Sequence, residues 1–300
     1  MDRISSLPNQ IICHIVSFLS AKEAAFITVL SKRFLNLYSI ISNLVFDESA
    51  TIQGSFTDFL NGVLALPASS RIRKFSLKCC NGIELAQYDH VNRCLCAVLK
   101  HGVLDLELYM HVGNRYSLPF EVFTCKTIFK LKLGSVYGSR FAVVVLPENA
   151  SLPALETLII DSVRFRDRCG CAFEKLLSAC HVLKELIIEE SMEWKRWKWS
   201  RNISNPTLQR LTIHCGDILE SGLTGITLNT PSLTYFKCYD VVQDEYPVVN
   251  LDSLVEAELY FMLTVDHTHD GYVREDDVIS SNPTNLIKGL RNVHNGLNIF

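Results

Sequence analysis

LKELII at residues 183–188 is one of eight copies of a single phase: an apolar residue, two free positions, an apolar residue, one free position and a last apolar residue. The same phase begins at Ile72 (IRKFSL), Val103 (VLDLEL), Ile128 (IFKLKL), Leu155 (LETLII), Leu208 (LQRLTI), Leu233 (LTYFKC) and Leu254 (LVEAEL). Start-to-start spacings are 31, 25, 27, 28, 25, 25 and 21 residues. A phase held constant at such intervals marks a solenoid. Each unit is too small to bury its own apolar face and does so by stacking on its neighbours.

Within a unit the last two apolar positions, such as Leu131 and Leu133 or Leu211 and Ile213, alternate with free ones. A period of two describes a strand with those residues on one face. Before the fifth unit, Phe173, Leu176, Leu177 and Cys180 stand at i, i+3, i+4 and i+7, the period of a helical return. Most spacings fall in the window of roughly 20–29 residues typical of leucine-rich repeats. The expected fold class is α/β, with a curved parallel sheet backed by return segments. An ordinary α/β domain with a mostly parallel sheet is the alternative. Against it, no Gly-rich phosphate-binding turn follows any strand, and the phase is kept across all eight units.

The free positions point away from the core. They form a ladder of Ser76, Glu107, Lys132, Ile159, Ile187, Thr212, Lys237 and Glu258, flanked by Asp161, Glu189, His214, Tyr239 and Tyr260. Ile159 and Ile187 are expected to be exposed at its centre, an apolar patch rimmed by charge and suited to a protein substrate. The substrate-binding candidates on this face are Lys132, Ile159, Ile187, Thr212, Lys237 and Tyr239. All three tryptophans, Trp194, Trp197 and Trp199, lie between the fifth and sixth strands among Lys195, Arg196, Lys198 and Arg201. Trp194 and Trp197 are candidate partner anchors through stacking and cation–π contacts. Packing of these rings on the return side is the competing reading.

The opening MDRISSLPNQIICHIVSFLSAKEAAFITVLSKRFLNLYSI reads as three short helices. Pro8 suits a first turn, and Ile11, Ile12, Ile15 and Leu19 share a face. Ser20-Ala21-Lys22-Glu23 is a capping box between the first and second helices, and a third fits 32–41. So short a segment holds too little core to stand alone, so it docks on something. The stripe led by Leu7, Pro8, Ile11 and Ile15 is placed to meet a partner helix. Covering the first repeat is a second role, compatible with the first.

D-R-I-S-x-L-P, with S-F-L and V-L-S-K-R, over residues 2 to about 42 closely resembles the F-box of plant F-box/leucine-rich-repeat proteins, FBD-type relatives included. The Val that follows the strand in that family's repeats is matched by Val136, Val163 and Val241, whereas Ser191 and Gly216 depart. The resemblance implies that Leu7, Pro8, Ile11, Ile12, Ile15, Leu19, Val29, Leu30, Ser31, Arg33 and Phe34 bind the adaptor of an SCF-type cullin-RING ubiquitin ligase. Through it they would reach the cullin. It further implies that the repeats hold an unknown protein substrate, that the chain itself has no catalytic residue and no cofactor, and that it works in the nucleus and/or cytoplasm. Asn9-Gln10 replace the acidic residue usual after Leu-Pro, forgoing about 0.3–1 kcal/mol of helix-terminus electrostatics. Phe34 and Tyr38 stand where the family usually has Trp, so an indole N–H is lost. The alternative is an interaction scaffold whose F-box no longer recruits the ligase.

Composition excludes several classes. The chain is 48% hydrophobic and 20% charged, the range of ordinary globular proteins. Lys and Arg number 29 against 32 Asp and Glu, a net charge of −3 without blocks of like sign, which argues against nucleic-acid binding. Apolar runs such as 141–146 fall far short of the roughly 18 residues of a membrane span. Asp2, Pro8-Asn9-Gln10 and His14 spoil a secretory signal, so the 11 cysteines are expected as thiols. Cys94-x-Cys96, Cys169-x-Cys171 and Cys180-His181 lack the paired spacing of a zinc site. His267-Thr268-His269-Asp270 sits in a polar stretch and reads as a solvated loop. No nucleophile elbow, H-E-x-x-H helix or kinase set is present. The expected division is an F-box at 1–45, a connecting segment at 46–70, about eight repeat units at 71–265, and a polar loop with an irregular terminal repeat or cap at 266–300. In that last segment Val293, Leu297 and Ile299 form a further strand one residue out of phase.

Overall fold

The computed structural model describes residues 43–48, 56–68, 70–113, 115–135, 143–165, 171–190, 202–215, 226–241, 245–262, 283–293 and 295–299. In chain order its elements begin with β1 (Asn43–Asp47), α1 (Phe56–Leu64), β2 (Lys74–Ile83), α2 (Tyr88–Lys100), β3 (Asp105–Val112), β4 (Lys130–Gly134) and β5 (Val143–Val144). Next come β6 (Thr157–Asp161), β7 (Arg164–Phe165), α3 (Ala172–Ser178), β8 (Glu185–Glu190) and β9 (Asn202–Ser204). The last are β10 (Arg210–Cys215), β11 (Thr227–Asn229), β12 (Tyr235–Val241), β13 (Val249–Asn250), β14 (Glu256–Met262), α4 (Thr284–Gly289) and β15 (Asn295–Ile299).

Ten strands, β1-β2-β3-β4-β6-β8-β10-β12-β14-β15, form one sheet in chain order, and every neighbouring pair is parallel. Equivalent motif positions meet across it, so that Leu131, Leu158, Leu186, Leu211 and Phe236 form one continuous buried row. The residue that starts each of the eight units is no more than 1% exposed. Burial of each such side chain stabilises by about 1.5–3 kcal/mol relative to exposure. The gain is collective, because each row is completed by the next unit.

Return segments form the second layer. α3 buries Phe173, Leu176 and Leu177, and Cys180 follows them into the core, as its helical period predicts. α2 closes at Gly102, whose φ of 74° is the left-handed conformation that ends helices. Later units differ: β9, β11 and β13 are short strands in a parallel three-stranded sheet. The later spacings shorten to 25 and 21 residues. Extended chain covers the distance with about half as many residues as a helix, which suits a short return. Threonine just before a unit ties it to the preceding one: Thr127 and Thr207 hydroxyls donate to the Val103 and Leu183 carbonyls at 2.8 and 2.9 Å.

Both ends of the sheet correct the expected boundaries. β1 is a full member of the sheet, and α1 buries Leu60 and Val63 beneath it, with Phe46 against Phe56 and Phe59 at 5.4 and 5.1 Å. Of the described residues in the expected connecting segment, Phe46 and Asp47 belong to β1 and α1 packs behind the sheet. The signal was present as Ile41-x-x-Leu44-x-Phe46, the same phase 31 residues before Ile72. At the other end β15 pairs with β14 through Glu256↔Asn295 and Glu258↔Asn298. The extra residue between those pairs accounts for the phase offset. A third correction concerns Cys171, which is disulfide-bonded. A compartment argument describes cysteines as a population and does not govern a single pair. Residues 1–42, Trp194, Trp197, Trp199 and His267–Asp270 lie outside the described residues.

Candidate protein-binding face

Two rows of side chains stand on the outer face of the main sheet. The first is Val45, Ser76, Glu107, Lys132, Ile159, Ile187, Thr212, Lys237 and Glu258. The second is Asp47, Lys78, Tyr109, Gly134, Asp161, Glu189, His214, Tyr239 and Tyr260. Register thus brings Lys132, Ile159, Ile187, Thr212 and Lys237 into one line, with Tyr239 on the next. The expected apolar patch is corrected: Ile159 is only 8% exposed and Ile187 is half-buried. Strands about 4.8 Å apart crowd their side chains, and a compact aliphatic residue is covered by longer neighbours. Ser76, at 2% exposure, is likewise closed over, its Oγ donating to Glu107 Oε2 at 3.1 Å.

On β1 to β4 the charges satisfy one another. Glu107 is the hub, with the Nζ atoms of Lys74, Lys132 and Lys78 at 3.4, 3.9 and 4.0 Å. Lys78 also reaches Asp47 at 3.8 Å, and Lys74 reaches Asp105 at 4.0 Å. Lys132 lies over the Tyr109 ring, 4.9 Å from its centroid. That ring occupies the space a side chain would need at Gly134, where an added Cβ would collide with it. Lying flat across β4, Tyr109 delivers its hydroxyl to the carboxylate of Asp161, two strands away. Burial pushes the Tyr109 hydroxyl well up from its ordinary value, and the nearby carboxylates of Asp161, Glu189 and Glu107 add to it.

From β6 to β14 the second row changes character. Asp161 and Glu189 face each other directly across β6 and β8, and among the described residues no lysine or arginine pairs with either. Burial raises the Asp161 carboxyl above its ordinary value. The Glu189 charge raises it further, against the bonds from Ser162 and Tyr109 and the charge of Lys132. Beyond them the His214 and Tyr239 rings meet edge-on at 5.0 Å, and Tyr239 and Tyr260 lie 6.1 Å apart. Among the described residues the strand cations of this half are engaged elsewhere: Arg210 pairs with Glu185 at 3.7 Å and covers the Tyr235 ring at 4.0 Å. Lys237 donates to Glu258 at 2.8 Å, which raises the lysine and, with the Tyr235 bond, lowers the glutamate.

Such a face offers ion-pair, stacking and cation–π contacts to a partner. Burial pushes the thiols of Cys94 and Cys180 up to about 12, far from a nucleophilic thiolate at neutral pH. Among the described residues no group of three or more His, Cys, Asp or Glu is placed to hold a metal, and no helix is long and apolar enough to cross a membrane. A cavity of about 400 Å³ lies between β13 and α4, lined by Val249, Leu251, Asp252, Asn285, Lys288 and Arg291. The Glu107 hub and the Tyr109–Asp161 contact over Gly134 were not singled out from sequence. The available signal was a glycine closing KLKLG where every other strand carries a side chain. The adaptor-binding candidates Leu7, Pro8, Ile11, Ile12, Ile15, Leu19, Val29, Leu30, Ser31, Arg33 and Phe34 fall outside the described residues, as do Trp194 and Trp197.

The family model described as FBD-associated F-box protein At5g56370, LRR repeats, matches residues 91–242, which run from α2 to just past β12. The F-box/LRR-repeat protein At3g58980 of Arabidopsis thaliana is 61% identical over 98% of this chain and 49% of its own length. The putative F-box/LRR-repeat protein At3g58920 of the same plant is 56% identical over 98% of the chain and 65% of its own length. The F-box/LRR-repeat protein At3g62440, also of Arabidopsis thaliana, is 47% identical over 100% of the chain and 68% of its own length. The chain thus spans about half to two thirds of the length of these relatives. No solved structure matches it.

Proposed function

Because this chain belongs to the family of F-box/LRR-repeat proteins, we propose that it is the substrate-receptor subunit of an SCF-type cullin-RING ubiquitin ligase. The segment ahead of β1 binds the ligase adaptor, and the outer face of the repeat sheet holds a protein substrate. The reading is supported by likeness to proteins named for an F-box over 98% of the chain, and by the Leu7-Pro8 and Val29–Arg33 elements of the opening segment. The subunit contributes no chemistry of its own. It holds a substrate close to the charged ubiquitin carrier on a common scaffold, so that transfer is governed by effective concentration and orientation. Its working place is the nucleus and/or cytoplasm, where that machinery operates.

The decisive test is co-purification of residues 1–300 with the plant ligase adaptor, beside the double variant Ile11→Asp, Ile15→Asp. A stable complex with the wild type that is lost in the double variant is the expected result. A folded wild type that makes no complex would leave the second reading, a leucine-rich-repeat scaffold without ligase recruitment. That reading is favoured by one observation, the neutral Asn9-Gln10 where the family carries an acid.

A further inference from the structure

The outer face is neutralised at one end of the sheet, while its second row is left acidic and aromatic at the other. Asp47, Asp105 and Glu107 each have a lysine within 4.0 Å. Asp161 and Glu189 have none among the described residues, although they are direct partners across two strands, an arrangement that costs stability. Glu189 is exposed and Asp161 half-buried, so a cation arriving from solvent reaches both. The row continues as His214, Tyr239 and Tyr260, whose rings are already in contact with one another.

We propose that Asp161, Glu189, His214, Tyr239 and Tyr260 receive an extended, arginine- or lysine-bearing segment of the substrate protein, with the cationic group on the two carboxylates and the flanking residues across the rings. Charge complementarity selects the occupant. A guanidinium answers two convergent carboxylates with parallel hydrogen bonds and lies flat on an aromatic face, so this row offers both kinds of contact it makes best. Five strands at about 4.8 Å give a track of roughly 19 Å, which about six extended residues span. Alternate side chains of such a segment meet the row, and the others meet Ile187 and Thr212 or solvent. Among the described residues the cations on the strands of this half, Arg210 and Lys237, are held by Glu185 and Glu258.

The inference rests on the receptor reading for the nature of the occupant, and its test separates the two. Full-length protein in complex with the adaptor is presented with a library of random peptides of about ten residues. Enriched sequences are then measured by fluorescence anisotropy against the wild type, Asp161→Asn, Glu189→Gln and Tyr239→Ser. Enrichment of arginine or lysine is expected, with affinity falling about tenfold in either acid variant, the worth of one charge-assisted contact. Replacing the enriched arginine by citrulline, its neutral isostere, is expected to cause a larger fall in the wild type than in either acid variant, where only one carboxylate remains to be lost. Enrichment of acidic or uncharged peptides, no enrichment, or basic peptides that bind the acid variants equally well would overturn the proposal. Adaptor binding in the same preparations reports the receptor reading independently. The two acid variants are isosteric and relieve a like-charge contact, so they retain the fold, and Tyr239→Ser gives a second, uncharged probe of the same row.

Discussion

The outer face of β1 to β4 and that of β6 to β14 are built on the same inner rows, yet they use their free positions differently. In the first, acids and lysines alternate from strand to strand and close on Glu107, so the surface is internally complete. In the second, Asp161 and Glu189 repel each other and three aromatic rings follow them. A repeat sheet therefore separates two tasks by side-chain parity. Inward positions set the fold and are uniform, while outward positions are free to be settled in one stretch and unsettled in another.

The comparison is tested most severely at the inner rows, where the halves should agree. Leu108→Ala on β3 and Ile213→Ala on β10 are each expected to cost about 2–5 kcal/mol in urea denaturation, since both side chains are fully enclosed. A much smaller loss in one half would break the uniformity. Next comes the boundary between halves: Gly134→Ala forces the Tyr109 ring off the sheet and is expected to cost about 1–3 kcal/mol. In a Tyr109→Ala background the same change should be nearly neutral, and a double-mutant cycle measures the difference. The outer acids should then diverge in sign. Glu107→Gln removes the carboxylate that three lysines share and is expected to lower stability by about 1 kcal/mol, whereas Glu189→Gln relieves Asp161 and should raise it by a few tenths. Equal signs would erase the distinction.

The smallest expected effect is one of pH. The Asp161 carboxyl titrates above its unfolded value, so its ionised form is a burden on the folded state at neutral pH. That burden lifts as pH falls through the raised value towards the ordinary 3.8, because the folded state takes up the proton first. Asp161→Asn is accordingly expected to be the more stable protein near neutrality. Its advantage should shrink on acidification across that window, as followed by thermal melts at a series of pH values.

The inner rows were legible because they repeat: a leucine at a fixed phase is both a strand and a burial signal, and the eight unit starts are all enclosed. The unit at Ile41 escaped because its apolar residues adjoin the helical pattern of the opening segment, and its return was read as a connection. Outer-face chemistry was harder to read. Sequence places Lys132, Ile159 and Ile187 in a line but does not say how far their neighbours lean over them, and it is those neighbours that close over Ile159. Nor does it say that a ring on β3 crosses a missing side chain on β4 to reach β6. Those facts depend on rotamers in three units together, and the phase of each unit carries no record of them.

The exchange of helices for short strands in the return layer has a geometric consequence. α1 and α2 pack side by side, and packed helices advance about 8–10 Å per unit while the strands in front advance about 4.8 Å. That difference acts as a wedge and curls the sheet towards its outer face. Behind β10, β12 and β14 the returns are themselves hydrogen-bonded strands, so back and front advance in equal steps and the wedge vanishes. The solenoid should thus have a tightly turned end and a nearly straight one, and a straight partner can lie along its full length only at the latter.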